Sequence, residues 1–170
     1  EQGSARAERR TMGLLASTAY SASPREIPFL RRKVAAVIER AGLMPKSHAA
    51  KALLTILERY PRDELFQISD EDLFHQAMGI LRLGERQRTR LFVRTDPFAR
   101  FVSCLIYVPR EHYTTDQRLR MQAVLMEAFY GTSLDFEVQF SESALARVLI
   151  IIRTRDSSIP PFDVYELEQR

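Results

Sequence analysis

The sequence predicts an α+β fold in which a small helical subdomain precedes a ββαββ two-layer sandwich. Three observations point to it. The apolar spacing changes from near 3.6 residues to 2 just past Gly84. Two pairs of strand-like runs then flank a single amphipathic segment carrying Met121, Val124, Leu125, Ala128 and Phe129. A chain of 170 residues, 45% hydrophobic and 28% charged, is also long enough to bury a core between a sheet and a helix. The expected parts are an arm over residues 1–22, a three-helix subdomain over 23–85, the sandwich over 86–155, and a linker with the start of a further helix over 156–170.

The arm has few large apolar residues outside Met12 to Leu15 and little period. Ser23-Pro24-Arg25-Glu26 has the form of a capping box with proline at the first helical position, but Pro28 lies one turn further in. The first helix therefore begins at Pro24, or at Pro28 with Ser23 to Ile27 as a turn. Gly42 stops it. A second helix is expected from Ser47 to Tyr60, closed by Pro61. In the third, Ser69 is the N-cap, Asp70, Glu71 and Asp72 complement the dipole, and Leu73, Phe74, Ala77, Met78 and Leu81 form the buried stripe before Gly84.

Strands are expected at Arg90 to Thr95 and Arg100 to Val108, joined by the short loop Asp96-Pro97-Phe98-Ala99. Thr114 to Gln117 is a second capping box, and Gly131 ends the helix it opens. Leu134, Phe136, Val138 and Phe140 alternate with polar residues, as in a strand covered on one face. Ala144 to Arg153 is more fully apolar and is expected at the centre of the sheet.

Composition and motifs narrow the function classes. The single cysteine, Cys104, sits in an apolar run, so it reads as core and offers no disulfide. The 25 basic and 22 acidic residues are interspersed, which argues against a nucleic-acid partner. The longest apolar run, Val148 to Ile152, is far short of the roughly 20 residues a membrane span needs. Glu1 in place of methionine, with no signal peptide after it, suggests a cytoplasmic segment of a longer chain. His48, His75 and His112 stand apart from any second ligand. No dinucleotide, phosphate-loop, zinc-protease or nucleophile-elbow motif is present, so no catalytic, cofactor-binding or metal residue is assigned. Asp63-Glu64 and Asp70-Glu71-Asp72 are explained by capping and helix dipoles.

The arginine-rich stretch from Arg86 to Arg100 is the most informative. Arg90, Phe92 and Arg94 share one face of a strand, where planar guanidinium groups suit carboxylates of another domain, another subunit or an amino-acid effector. A solvated edge with core phenylalanines is the alternative. RNA binding is a weaker third class, since Arg100 to Val108 lacks the glycine and aromatic spacing of an RRM. The hairpin residues Arg94, Asp96 and Arg100 are the candidate interface or regulatory contact, on the strength of charge density at a tight loop.

Several segments are similar to a known family: Ser23-Pro-Arg-Glu-Ile-Pro28, Pro61-Arg-Asp-Glu-Leu-Phe-Gln67, Arg94-Thr-Asp-Pro-Phe-Ala-Arg-Phe-Val-Ser103, Tyr107-Val-Pro-Arg110 and Val138-Gln-Phe-Ser-Glu142. In this order, from about Tyr20 to Thr154, they resemble the N-terminal, non-catalytic region of the large bacterial NAD-specific glutamate dehydrogenases. The resemblance implies a cytoplasmic homo-oligomeric parent that deaminates glutamate to 2-oxoglutarate and ammonia, with NAD bound in domains outside these residues. It also implies an ACT-like, ferredoxin-like sandwich that contacts other domains and subunits. An ACT module runs βαββαβ, whereas the residues here read ββαββ. Either the third helix supplies the missing one in a permuted order, or the module is degenerate. The expected role is regulation and assembly; a free-standing amino-acid-sensing module is the alternative.

Overall fold

The computed structural model describes residues 15–84, 86–155 and 159–170. A short turn of helix, α1 (Thr18–Ser21), precedes the helical unit, and part of the expected arm is tied down: the Tyr20 hydroxyl donates to Asp63 Oδ1 at 2.9 Å, and Arg62 Nη2 donates to the Ala22 carbonyl at 3.0 Å. Residues 1–14 lie outside the described part. The first long helix, α2 (Pro28–Ala41), takes the later of the two expected starts, and Ser23–Glu26 forms a turn closed by Glu26 N donating to Ser23 O. Pro28 at the first helical position explains this, because a proline there loses no intrahelical bond. Gly42 follows at φ 57°, the left-handed C-cap the sequence predicts.

Next come α3 (His48–Glu58), capped by Ser47, and α5 (Asp70–Leu83), capped by Ser69. Between them lies α4 (Arg62–Gln67), which the sequence reading did not separate out; Pro61 stands at its N-cap and Asp63 and Glu64 fill its first turn. Leu30, Val34, Val37, Leu53, Leu57, Leu65, Leu73 and Ala77 form the core of this unit, each at most 2% exposed. Burying each such leucine or valine against the others contributes about 1.5–3 kcal/mol.

The sheet comprises β1 (Arg90–Thr95), β2 (Phe101–Pro109), β3 (Gly131–Gln139) and β4 (Leu145–Thr154) in the spatial order β1-β2-β4-β3, every pair antiparallel. The apolar β4 is central, as expected. A single 3₁₀ turn, Arg110–His112, leads into α6 (Thr115–Ala128), whose Thr114 cap accepts from Gln117 N. Gly131 does not end this helix. Tyr130 takes the left-handed conformation at φ 49°, and Gly131 opens β3 where a Cβ would stand 2.5 Å from Met126 Sδ and 2.6 Å from Ile152 Cγ2.

The last helix, α7 (Val164–Gln169), is capped by Asp163 and lies against β1. It belongs to the sandwich and does not lead away from it. Glu168, its side chain 7% exposed, accepts from Arg90 Nη1 at 2.9 Å and from Leu91 N at 2.8 Å. Taken cyclically from β2, the order is β2-α6-β3-β4-α7-β1, which is βαββαβ. The helix missing from the sequence reading is therefore α7, and not the third helix of the helical unit. The two faces of the sheet have different covers. Leu91, Val102, Cys104, Ile106, Val148, Ile150 and Ile152 pack under α6 and α7, while Phe92, Leu105, Tyr107 and Leu149 meet the helical unit.

Candidate functional site

The seam between helical unit and sheet holds most of the buried charge. Alternation along β1 places Arg90, Phe92 and Arg94 on one side, as the sequence predicts. That side is covered by helices, so Arg94 is an internal group with its side chain only 6% exposed. Its Nε and Nη2 donate to Glu64 Oε2 and Oε1 at 2.8 and 2.7 Å, a two-point pair with α4. The guanidinium also lies 5.3 Å from the Phe101 ring. Burial pulls the Arg94 pKa down, but the hydrogen bonds and charge of Glu64 more than offset this and leave it raised. Glu64 had been explained as a helix-start acid; its carboxylate is in fact the partner of a strand 30 residues on.

Lys33 completes the cluster. Its ammonium donates to the Ile68 carbonyl and, at 3.0 Å, to the Leu65 carbonyl, which places a cation at the negative end of α4. Burial, and secondarily the nearby Arg94 charge, lower its pKa, partly countered by Asp70. Beside it the Tyr60 hydroxyl donates to Gln76 Oε1 at 2.6 Å. Where α5 crosses β1, Gly79 faces Phe92: a Cβ on Gly79 would lie 2.5 Å from Phe92 Cε1.

The other two predicted contact residues organise the β1–β2 loop. Asp96 is buried, and its Oδ2 accepts from the backbone of Phe98 and Arg100 at 3.2 Å each and from Arg100 Nε at 2.8 Å. Arg100 holds the Asp96 carboxyl down to about 2, against a smaller opposing effect of burial. Ala99 takes φ 50° at the turn. The Arg100 side chain is 62% exposed and stacks 5.1 Å from the exposed Phe98 ring. Of the three residues proposed as a contact surface, Arg100 alone presents its charge outward; Arg94 and Asp96 are spent inside.

Arg147 and Glu168 were not singled out from the sequence. Arg147, on the same sheet face as Tyr107, has a side chain 11% exposed, donates to the Arg59 carbonyl, and has Glu137 at 4.0 Å. Burial lowers its pKa. Cys104 is fully buried, and burial pushes its thiol up well beyond the usual range, as a core residue should be. Among the described residues no group of three His, Cys, Asp or Glu could hold a metal, and no helix is long and apolar enough to cross a membrane.

Comparison with known proteins divides the chain at the same place. Residues 27–86 match the family model described as "Glutamate dehydrogenase, helical motif 1", and residues 90–170 match "Glutamate dehydrogenase, ACT2 domain". An NAD-specific glutamate dehydrogenase of Halomonas elongata is 46% identical over 170 residues, covering 100% of this chain and 10% of the relative. The protein of the same name from Pseudomonas aeruginosa is 46% identical over 162 residues, 95% of this chain and 10% of its own length. That of Mycobacterium tuberculosis is 36% identical over 166 residues, 94% of this chain and again 10% of the relative. The chain thus spans about a tenth of the length of the curated relatives it matches.

Proposed function

Because the chain belongs to the NAD-specific glutamate dehydrogenase family, through its helical-motif-1 and ACT2 regions, we propose that it is a regulatory and assembly segment of a much larger cytoplasmic enzyme. In this reading the whole protein oxidatively deaminates glutamate to 2-oxoglutarate and ammonia, and this part performs no chemistry. Its partners are other domains and subunits of a homo-oligomer, with an amino acid as a candidate effector. The antiparallel pairing of all four strands differs from the parallel βαβ unit that seats a dinucleotide's pyrophosphate, which supports placing NAD elsewhere in the parent.

One observation carries the proposal. The buried Arg94–Glu64 pair welds the helical region to the ACT2 sheet, so a load on either is passed to the other. Regulation from a distance requires such a coupled body with different contacts in two states. The Phe98–Arg100 loop, exposed and internally braced by Asp96, is the surface through which the body would touch a neighbour.

The test uses full-length enzyme with Phe98→Ser and Arg100→Glu. Subunit mass by light scattering, or the response of glutamate oxidation to added amino acids, should change while the catalytic constants at saturation hold. Unchanged assembly and unchanged regulation would remove the proposal. The chain alone should give no glutamate-dependent NADH signal, and turnover there would refute it outright.

A further inference from the structure

A cavity of about 320 Å³ lies where the helical unit meets the β3–β4 hairpin. Its helical wall carries the apolar Ile56, Ile80 and Leu81 with Arg59 at the edge, and its sheet wall carries Tyr107, Ser143 and Arg147. The volume is at the low end of small-molecule pockets, which run from roughly 300 to 1,000 Å³. No aspartate or glutamate lines it.

Arg147 differs sharply from Arg94, although both lie at the same seam. Arg94 sets two donors, Nε and Nη2, on one carboxylate at 2.8 and 2.7 Å. Arg147 is nearly as buried, yet its carboxylate neighbour among the described residues, Glu137, is 4.0 Å away and 65% exposed. One guanidinium nitrogen is used on the Arg59 carbonyl and the Tyr107 hydroxyl is a neutral neighbour, so neither supplies a countercharge. A guanidinium has five N–H donors and no acceptor, so a nearly buried one without a close anion is under-compensated. An entering carboxylate would be matched by this donor set. An ammonium group would meet the Arg147 charge with no lining acid to balance it.

We propose that this cavity binds a small organic carboxylate bearing an apolar chain and no ammonium group, with its carboxylate on Arg147 and its chain against Ile56, Ile80 and Leu81. The site stands on this geometry and does not depend on the enzymatic role of the parent.

Thermal unfolding of the 170-residue chain with butyrate, 2-oxobutyrate and 2-aminobutyrate, at constant ionic strength against chloride, tests it. The first two should raise Tm with saturation, by several degrees at about 100 times Kd, while 2-aminobutyrate matches chloride. Arg147→Met should abolish the rise. Because that change also removes the Arg59 contact, Ala52→Leu, at the cavity lining with Arg147 intact, should weaken binding at least tenfold without lowering the ligand-free Tm. No saturable rise with either acid, an equal rise with 2-aminobutyrate, or a rise that survives both substitutions would overturn the assignment.

Discussion

Replacing Arg94 by methionine should be among the most damaging single changes in the chain. The substitution keeps much of the apolar stem but leaves the Glu64 carboxylate, 5% exposed, with neither of its two guanidinium bonds. Breaking a buried pair from one side costs about 3–5 kcal/mol, a large part of the roughly 5–15 kcal/mol that holds a domain folded. For a chain of this size that lowers Tm by roughly 10 °C. Removing both charges, in Arg94→Met with Glu64→Leu, leaves no ion to strand and should lie within about 1 kcal/mol of the parent. Urea unfolding followed by circular dichroism gives the four corners of the cycle, and the coupling should exceed about 2 kcal/mol. Single variants that each cost under about 1 kcal/mol, and sum to the double, would refute the claim that this pair fastens helices to sheet.

Gly79→Ala would ordinarily gain up to about 1 kcal/mol in a helix, but its Cβ would stand 2.5 Å from the Phe92 ring; a net loss of about 1–3 kcal/mol is expected in chemical denaturation, relieved by Phe92→Leu. Asp96, held at about 2 in the folded chain, contributes stability that is complete above its unfolded value near 4 and is lost as pH falls through about 2; Asp96→Asn should lower Tm at pH 6 and flatten its decline in acid. Glu168→Ala leaves Leu91 N without its acceptor and should cost about 1–3 kcal/mol, read as faster hydrogen exchange confined to β1 and α7. Cys104, fully buried, should react with an aromatic disulfide at the rate of unfolding, with no fast phase at pH 8.

Features written in a few neighbouring residues were legible in the sequence. Ser69 and Thr114 cap the helices they were expected to cap, and Ser47 caps the helix expected to start there, because capping is decided within four residues. The strand alternation correctly put Arg90, Phe92 and Arg94 on one side. What alternation cannot say is which side is covered, and here the cover is a six-residue helix too short to show a period. For that reason the sequence left Arg94's carboxylate partner open among another domain, another subunit or an effector, whereas the fold supplies it from the helical unit. The role of Asp63 and Glu64 as first-turn acids was sufficient locally and concealed the long-range one. Likewise Val164–Gln169 has a legible start, but its docking depends on β1, 77 residues earlier in the chain. Gly131 was assigned to the wrong duty, since the crowding by Met126 and Ile152 exists only once the sheet has formed.

The strap of α7 across β1 has a kinetic corollary. During synthesis the N-terminal strand emerges with its amide and the side of Leu91 uncapped, and the residue that closes them is made 77 positions later. At typical translation speeds of about 5–20 residues per second that interval lasts several seconds, far longer than hairpin formation at about 1–10 μs. A nascent chain therefore passes through a stage in which the β1–β2 hairpin can pair while its outer flank is still bare, and the central strand β4 arrives only shortly before α7 closes that flank.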